Sequence, residues 1–290
     1  MKILITGGAG FIGSNLISKL LISYNNVEII SLDNYFTGKI SNMISNNNVK
    51  YITGNTWEIM NITELTNFTP NIIYHFGEYS RIHKSFEEPS KVFLFNLYGT
   101  QQVLEYAVKK NSKLIYSGSS AIFGDKENLS PYSFSKSKNI EMIKNYDRWY
   151  GLNYAICYFY NVYGKNQIEE GEYATVIGIF ERQYKTGVPL TVVRPGTQNR
   201  VFTHIDDIVN GLIMVGEKGK GDGYTLSANK SYSILDVVKM FDSDYEFIKE
   251  RKGERYESSN PFKKSQDELN WKAEKRLEDY IKELKLKNKS

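Results

Sequence analysis

Hydrophobic positions before about residue 160 fall into short runs that alternate with segments of helical period. Each run is bounded by turn-forming or charged residues, which is typical of a buried strand. The predicted strands are Lys2–Thr6, Val27–Leu32, Val49–Ile52, Asn71–His75, Lys113–Ser117 and Asn153–Cys157. The helical period predicts helices over Phe11–Leu21, Ser90–Lys109 and Tyr132–Trp149. Alternation of this kind favours an α/β fold with a doubly wound parallel sheet covered on both faces.

The pattern changes in the second half of the chain to mixed helices, short strands and longer connections. Arg182–Gly187, Arg194–Asn199 and Gly216–Gly223 are predicted to be such connections. We therefore predict a first domain over residues 1–165 and a smaller mixed α/β region over residues 166–290. Because no low-complexity linker separates them, the two parts are expected to share an interface, with chain crossings between them.

Composition excludes several classes of protein. The 290 residues carry 37 basic and 33 acidic side chains without a basic arm, so nucleic acid is not an expected partner. The chain contains no apolar stretch long enough to span a membrane, and a cytoplasmic protein is expected. The single cysteine, Cys157, excludes a disulfide framework. Three histidines, His75, His83 and His204, lack the spacing of metal ligands, so no metal is predicted.

A glycine-rich turn, Thr6–Gly13, follows the first predicted strand and opens the first helix. Gly7 permits the tight turn, Gly10 lets the backbone approach a pyrophosphate, and Gly13 allows close packing of helix on strand. The helix N-terminus then faces the phosphate charge. Asp33, about 20 residues past Gly13, is the acid expected to hold the adenosine ribose and repel a 2′-phosphate. The sequence therefore predicts a Rossmann-type domain that prefers NAD to NADP.

A second group of residues carries candidate acid–base chemistry. The hydroxyl-rich segment Ser117–Gly124 follows the fifth predicted strand, and Tyr132 and Lys136 come next at helical spacing. The two side chains share one helix face, where the ammonium favours the phenolate that could take a proton from a sugar hydroxyl. The same spacing recurs at pairs without a preceding strand and loop, which are interpreted as chance surface pairs: Tyr35–Lys39, Tyr106–Lys110 and Tyr245–Lys249.

Together these residues resemble the extended short-chain dehydrogenase/reductase superfamily, specifically the NAD-dependent nucleotide-sugar epimerases and dehydratases typified by UDP-galactose 4-epimerase. The resemblance covers nearly the whole chain, from the glycine turn to the segment that ends at Trp271. It implies a catalytic set of Ser119, Tyr132 and Lys136, with Ser120 as the second candidate for the catalytic hydroxyl. It also implies that residues 166–290 mainly bind the nucleotide sugar.

The resemblance assigns further residues to the cofactor and the substrate. The implied cofactor contacts, besides Tyr132 and Lys136, are Gly7, Gly10, Phe11, Ile12, Asp33, Asn34, Asn55, Thr56, Phe76, Gly77, Glu78, Asn96 and Tyr160. The implied substrate contacts are Ser80, Ser119, Asn161, Ala174, Val176, Arg200 and Arg251. Arg200 and Arg251 are expected to clamp the pyrophosphate, because a planar guanidinium suits a diphosphate. The segment 172–177 is expected to line the base pocket.

Some positions depart from the family's pattern. The usual His-Leu-Ala-Ala after the fourth strand is His75-Phe76-Gly77-Glu78 here, which places a carboxylate near the expected nicotinamide position. Glu78 is either functional or pairs with Arg81. The aspartate that holds the adenine in the family appears as Asn55, and Tyr158 stands where the family has an arginine.

The leading hypothesis is an enzyme that oxidises C4 of a nucleoside-diphosphate sugar with bound NAD and, as a 4-epimerase, reduces the 4-keto sugar from the other face. Tyr132 would remove the 4-hydroxyl proton with help from Ser119, while Lys136 would hold the nicotinamide ribose. A C4 dehydrogenase or 4-ketoreductase is the alternative, and a non-catalytic NAD-binding protein is a third. A 4,6-dehydratase is disfavoured, because that branch has an Asp-Glu pair where this chain has Ser120-Ala121. UDP, GDP and dTDP sugars all stay open.

A homodimer is also predicted, both by family analogy and from the helical pattern. The helices around Val92–Val108 and Ser135–Trp149 carry apolar residues beyond one sheet-facing stripe, and such a surface often pairs with a partner. The apolar residues concerned are Phe95, Leu97, Met142 and Ile143.

Overall fold

A computed structural model describes residues 1–123, 128–250 and 263–288. Its strands are β1 (Lys2–Thr6), β2 (Glu28–Asp33), β3 (Val49–Thr53), β4 (Ile72–His75), β5 (Lys113–Ser119), β6 (Tyr154–Phe159), β7 (Val162–Tyr163), β8 (Leu190–Val193), β9 (Asn199–Val201), β10 (Thr203–His204), β11 (Gly221–Leu226), β12 (Ser231–Ser233) and β13 (Tyr245–Ile248).

The helices follow the same chain order. They are α1 (Phe11–Ser23), α2 (Thr63–Thr66), α3 (Ile82–Ser85), α4 (Pro89–Val92), α5 (Gly99–Lys110), α6 (Pro131–Tyr150), α7 (Val176–Thr186), α8 (Ile205–Lys218), α9 (Ile234–Phe241), α10 (Lys264–Leu269) and α11 (Leu277–Lys287). A π-helical segment, Phe93–Tyr98, joins α4 to α5, and short 3₁₀ turns lie at Ile40–Asn42, Thr56–Asn61 and Ser120–Ile122. Within the described ranges, no helix is both long and apolar enough to span a membrane.

Within those same ranges, seven parallel strands form the central sheet, in the order β3-β2-β1-β4-β5-β6-β11. The strand order reverses between β1 and β4, which leaves a crevice beyond the carboxyl ends of these strands. Ligands of open α/β sheets bind in such a crevice. The predicted α/β fold with a doubly wound parallel sheet is confirmed.

Apolar clusters cover both faces of this sheet. Ile3 and Ile5 of β1 face the cluster under α1 and α8, whereas Leu4 faces the cluster under α5 and α6, as the two-residue period of a strand requires. A further cluster lies in the second half of the chain, where α7, β8, α9 and α11 pack together around Phe180 and Phe241. This cluster supports the wall of the crevice that faces β5 and β6.

The second half of the chain contributes to both parts of the molecule. Short two-stranded sheets join β7 to β10, β9 to β12 and β8 to β13. In contrast, α8 packs on α1, and β11 extends the main sheet by pairing with β6. The chain therefore passes back to the main sheet after residue 200.

Two of the predicted connections are wrong. The segment Arg182–Gly187 belongs to α7, which continues until Gly187 ends it with a φ of +69°. Most of Gly216–Gly223 is likewise regular, because α8 covers its first residues and β11 its last. In both cases an apolar face packs onto the core, and this packing carries the element through residues that alone indicate a turn.

Candidate active site

The glycine turn places the N-terminus of α1 at the crevice. Gly7 has a φ of +75°, and a Cβ there would lie 2.9 Å from the backbone of Phe76 and Gly77. A Cβ on Gly13 would lie 2.3 Å from the carbonyl oxygen of Gly7, so only glycine allows this approach of helix to strand. Gly10 is more open, since its Cβ would meet only that same oxygen within 4 Å. The turn therefore presents bare backbone to the crevice.

A cavity of about 270 Å³ begins at this turn and runs along the ends of β1, β2, β4 and β5. Asp33 at the end of β2 lines it, and its carboxylate accepts hydrogen bonds from the backbone N–H groups of Ala9 at 2.9 Å and Tyr35 at 2.8 Å. Burial raises the pKa of Asp33, and these N–H groups together with that of Gly10 oppose the rise. The carboxylate is thereby fixed beside the turn. The predicted residues that also line this cavity are Gly7, Gly10, Phe11, Ile12, Asn34, Thr56, Phe76, Gly77, Glu78, Tyr132 and Lys136.

A second cavity, of about 360 Å³, lies between the main sheet and the second half of the chain. The predicted substrate contacts that line it are Ser80, Ser119, Asn161, Ala174, Val176 and Arg200. Ser119 and Tyr132 line both cavities, as do Ser80 and Arg81. The two hydroxyls predicted to act on the substrate therefore lie where the two cavities meet.

Lys136 forms a buried ion pair with Glu78 beside this junction. The ammonium donates to Glu78 Oε2 and, at 2.6 Å, to the carbonyl oxygen of Ser117. The lysine and glutamate side chains are 4% and 2% exposed. Glu78 Oε1 accepts a hydrogen bond from the Tyr116 hydroxyl at 2.9 Å. The sequence left Glu78 between a functional role and a pair with Arg81, and the partner found here is Lys136.

Comparison with known protein families agrees with this geometry. The model of the NAD dependent epimerase/dehydratase family matches residues 3–227. The chain belongs to this family. The matched range holds the glycine turn, Asp33 and the Ser119, Tyr132 and Lys136 set, and the cofactor of the family is NAD.

Individual relatives share the fold and differ in reaction. A protein of Methanocaldococcus jannaschii that bears the name "putative UDP-glucose 4-epimerase" is 33% identical over 302 residues, covering 97% of this chain and 96% of that protein. UDP-glucuronic acid decarboxylase 3 of Arabidopsis thaliana is 29% identical over 259 residues, covering 82% of this chain and 73% of its own length. The solved UDP-glucose 4-epimerase of Thermotoga maritima, in complex with UDP-glucose, has a TM-score of 0.91 and 26% identity, with 100% of both chains covered.

The residues of the first cavity fit an NAD molecule. The bare backbone at Gly7 and Gly10 leaves room for a pyrophosphate at the start of α1, where helix N–H groups favour negative charge. Asp33 lines the same cavity at the end of the neighbouring strand β2, where an acid suits the ribose hydroxyls. Lys136 and Tyr132 lie at the other end of the cavity, toward the substrate side.

We expect the protein to bind NAD at least about 100-fold more tightly than NADP, because the buried Asp33 carboxylate would face the 2′-phosphate with like charge. Asp33→Asn keeps the side-chain shape and removes the charge, and should narrow this difference mainly by improving NADP binding. Titration calorimetry with both cofactors measures the effect, with Glu141→Gln on the exposed face of α6 as the control. Equal affinity of the unaltered protein for NAD and NADP would contradict the prediction.

Some predicted contacts are not brought to either cavity. Asn96 is fully buried and clamps the loop after β4, since it accepts from the Tyr79 N–H at 2.7 Å and donates to the Tyr79 carbonyl at 3.1 Å. Asn55 Oδ1 accepts a hydrogen bond from Asn34 Nδ2 at 3.0 Å, so Asn55 contacts a residue that lines the first cavity. Tyr160 is buried in the core beneath the crevice. The predicted pyrophosphate ligand Arg251 lies outside the described residues.

Other lining residues were not singled out from the sequence as contacts. Arg81 lines both cavities and donates to the carbonyl oxygens of Glu172 and Ala174, which ties the loop after β4 to the opposite wall. Gln198 and Phe180 line the far end of the second cavity. No motif marks these side chains, because their positions depend on how the second half of the chain folds over the sheet.

His75 at the end of β4 is fully buried under the ion pair. Its Nδ1 lies 2.6 Å from Thr6 Oγ1 and its Nε2 lies 2.9 Å from Thr100 Oγ1. Burial is the main reason that the pKa of His75 is lowered to about 4; the charge of Glu78 opposes this shift and the charge of Lys136 adds to it. The ring is therefore neutral. Because the Thr100 hydroxyl donates its hydrogen to Glu78 at 3.2 Å, it can only accept from His75, so His75 carries its hydrogen on Nε2.

This histidine should make the fold less stable in acid. An unfolded histidine takes up a proton near pH 6.5, whereas the folded one does so only near pH 4, so stability is full above pH 6.5 and is lost as the pH falls toward 4. The expected loss is about 3 kcal/mol. His75→Gln should lower stability at pH 7.5 but flatten this part of the pH dependence, as measured by urea unfolding at pH 7.5 and pH 4.5. An unchanged pH dependence in the variant would show that His75 is not the cause.

Proposed function

We propose that the protein is an NAD-dependent 4-epimerase of a nucleoside-diphosphate sugar. The observation that carries the proposal is the position of Tyr132 and Ser119 where the two cavities meet. A sugar carbon held there is next to the site of hydride transfer on one side and next to a tyrosine hydroxyl on the other. Membership of the family supports the cofactor, and the relatives named above support the substrate class.

The proposed roles of the residues follow from their places. Reversible hydride acceptance is the chemistry that NAD supplies when bound. Tyr132 takes the proton of the sugar 4-hydroxyl, Ser119 donates a hydrogen bond to the same oxygen, and Lys136 holds the ribose next to the reacting ring. After the 4-keto sugar has turned its other face, return of the hydride to C4 and of the proton from Tyr132 to the 4-oxygen would give the epimer.

The charge of the substrate cavity supports a diphosphate. Arg81 and Arg200 are among its lining residues, and the described residues that line it include no aspartate or glutamate. A cavity with arginine and without carboxylates suits the negative charge of a pyrophosphate. Arg200, with Arg251 outside the described residues, remains the proposed clamp, and the apolar segment from Ala174 to Ile177 is the proposed base wall.

The same observation argues against elimination at C5 and C6. A 4,6-dehydratase needs an acid and a base next to the catalytic hydroxyl, and Ser120 and Ala121 line the cavity at those positions. The described residues that line this second cavity also include no carboxylate from another helix, strand or loop that could act in their place. A 4-keto sugar formed here is therefore proposed to be reduced rather than dehydrated.

A panel of UDP, GDP and dTDP sugars tests the proposal. The purified protein is incubated with each sugar and NAD, while NADH absorbance is followed and products are identified by NMR. An epimer at C4 without net NADH supports the 4-epimerase. Accumulating NADH identifies a C4 dehydrogenase instead. In a parallel assay with NADH and a 4-keto sugar, consumption of NADH identifies a ketoreductase, and no change in either assay favours a non-catalytic NAD-binding protein.

The proposal includes the division of labour along the chain and the location of the protein. Residues 1–165 are proposed to bind NAD and carry the catalytic side chains, and residues 166–290 mainly to bind the nucleotide sugar. A cytoplasmic location is proposed, in keeping with a single cysteine, Cys157, that is buried as a thiol in the core.

A homodimer through the surface of α4 to α6 is also proposed. Large apolar side chains exposed there are Phe93, Leu94, Tyr98, Trp149 and Tyr150. These side chains differ from the four that the sequence predicted for the dimer surface. Of those four, Ile143 packs fully into the core, and Phe95, Leu97 and Met142 are half-buried. Light scattering at micromolar concentration should give twice the chain mass, and Leu94→Glu with Tyr98→Glu should halve it. A monomer before substitution would refute the dimer.

A further inference from the structure

The strongest unexplained feature of the site is the carboxylate of Glu78. It comes from the loop after β4 and is 2% exposed at the side chain. A buried carboxylate costs several kcal/mol unless it is paired and hydrogen-bonded, so its presence in the floor of a cofactor cavity requires compensation.

The hydrogen bonds around Glu78 compensate for its charge. Oε1 accepts from the hydroxyls of Tyr116 and Thr100 and from the amide of Asn139, at 2.9, 3.2 and 3.0 Å. Oε2 accepts from the Lys136 ammonium and, at 3.5 Å, from the Ser117 hydroxyl. An ionised carboxylate only accepts hydrogen bonds, whereas a protonated one must donate. This set of donors therefore matches the charged form, and Glu78 and Lys136 form a true ion pair.

The pair fixes the direction of the lysine. An ammonium has three N–H bonds, of which one is directed to Glu78 and one to the Ser117 carbonyl. The ammonium also lies 4.7 Å from the centre of the Tyr116 ring. Lys136 held in this way lines the same cavity as Tyr132.

The pair also changes the electrostatics at Tyr132. A lone ammonium one helical turn away would favour the phenolate, but a carboxylate bonded to that ammonium cancels much of its charge. Among the residues that the structure describes, the other titratable groups that face the pair are Tyr116 from β5 and His75 from β4. Burial, and then the charge of Glu78, raise the pKa of Tyr116 well above its ordinary value, and burial lowers the pKa of His75 to about 4. Across the neutral range both therefore stay uncharged, and neither adds a charge to that of the pair.

We propose that Glu78 is a positioning residue that holds Lys136 in one direction and reduces the positive charge acting on Tyr132, so that the tyrosine ionises at a higher pH than the lysine alone would allow. The role of Tyr132 as the base rests on the proposed function, but the electrostatic effect of Glu78 does not. The two are therefore tested by separate measurements.

The first measurement follows ionisation directly and needs no substrate. The full chain is labelled with ¹³Cζ-tyrosine, the Tyr132 resonance is assigned with Tyr132→Phe among the 22 tyrosines, and it is titrated by NMR with and without NAD. Glu78→Gln keeps the shape of the side chain and removes its charge. The midpoint for Tyr132 should move down by about one pH unit. The control is Glu105→Gln, which removes a carboxylate that bonds to the Tyr146 hydroxyl on α6 and should leave the midpoint unchanged.

The second measurement uses whichever substrate the panel identifies. The acid limb of the pH profile of kcat/KM should move down by the same amount in Glu78→Gln, which a purely structural role would not produce. Glu78→Ala, which restores the family's residue, provides a second variant if the glutamine does not fold. An unchanged or raised Tyr132 midpoint in both folded variants overturns the inference, even if the panel finds an epimerase. A lowered midpoint in a protein that turns over no sugar supports the inference while refuting the proposed function.

Discussion

Tyr132→Phe is expected to lower turnover about 10²–10⁴-fold, the contribution typical of a general acid–base group. The ring of Tyr132 is 9% exposed and lines both cavities, so phenylalanine keeps the packing and removes only the hydroxyl. The affinities for NAD and for the nucleotide sugar should change little, because the loss falls on the transition state. Steady-state rates and calorimetric binding of the same preparation separate the two effects.

The matched control is Tyr245→Phe, which alters an exposed tyrosine at the same Tyr-x-x-x-Lys spacing on β13. It should retain the unaltered rate. If Tyr132→Phe is as active as this control, proton transfer does not pass through Tyr132, and the assignment of Ser119 as a mere hydrogen-bond donor must be reconsidered.

The Tyr-x-x-x-Lys spacing singles out Tyr132 only together with its context. Tyr106 has the same spacing and was interpreted as a surface residue, but it is buried, and its hydroxyl donates to carbonyl oxygens of Leu65 and Phe68 at 2.9 Å. The i, i+4 rule says that two side chains share a face and does not say whether that face meets solvent or core. The strand and loop before Tyr132 supply that information, because strand ends of a parallel sheet converge on the crevice.

Local rules place the residues predicted for the cofactor more directly than those predicted for the substrate. Gly7, Gly13 and Asp33 belong to one strand–helix–strand unit from β1 to the end of β2, and all three lie at the first cavity. Arg81 and Gln198 reach the substrate cavity only because α7, β8 and α9 fold over the sheet, and no short pattern encodes that arrangement.

The partner of Glu78 was beyond sequence reasoning for a related reason. Glu78 and Arg81 are close in sequence, which favoured a local pair, whereas Lys136 is 58 residues away. The parallel pairing of β4 with β5 brings the loop after β4 beside Ser117, and α6 then lays Lys136 across both. Burial decides the outcome, because a carboxylate at this depth requires a cation. Arg81 instead donates to the carbonyl oxygens of Glu172 and Ala174.

Lys136→Ala is expected to lower the free energy of unfolding by about 3–5 kcal/mol, the cost of leaving one partner of a buried ion pair without its opposite charge. Cofactor affinity and turnover should fall as well, because the ammonium that holds the ribose is lost. The double variant Lys136→Ala with Glu78→Ala removes both charges and should regain most of the stability without regaining turnover.

Lys138→Ala is the control on the same helix, since its pair with Glu141 is exposed and is worth less than about 1 kcal/mol. Urea unfolding of the four proteins without cofactor tests the pair, and a single variant as stable as the unaltered protein would mean that Glu78 does not carry its charge in the fold. If instead the double variant recovers both stability and turnover, the lysine serves the fold alone, and Tyr132 must work without it.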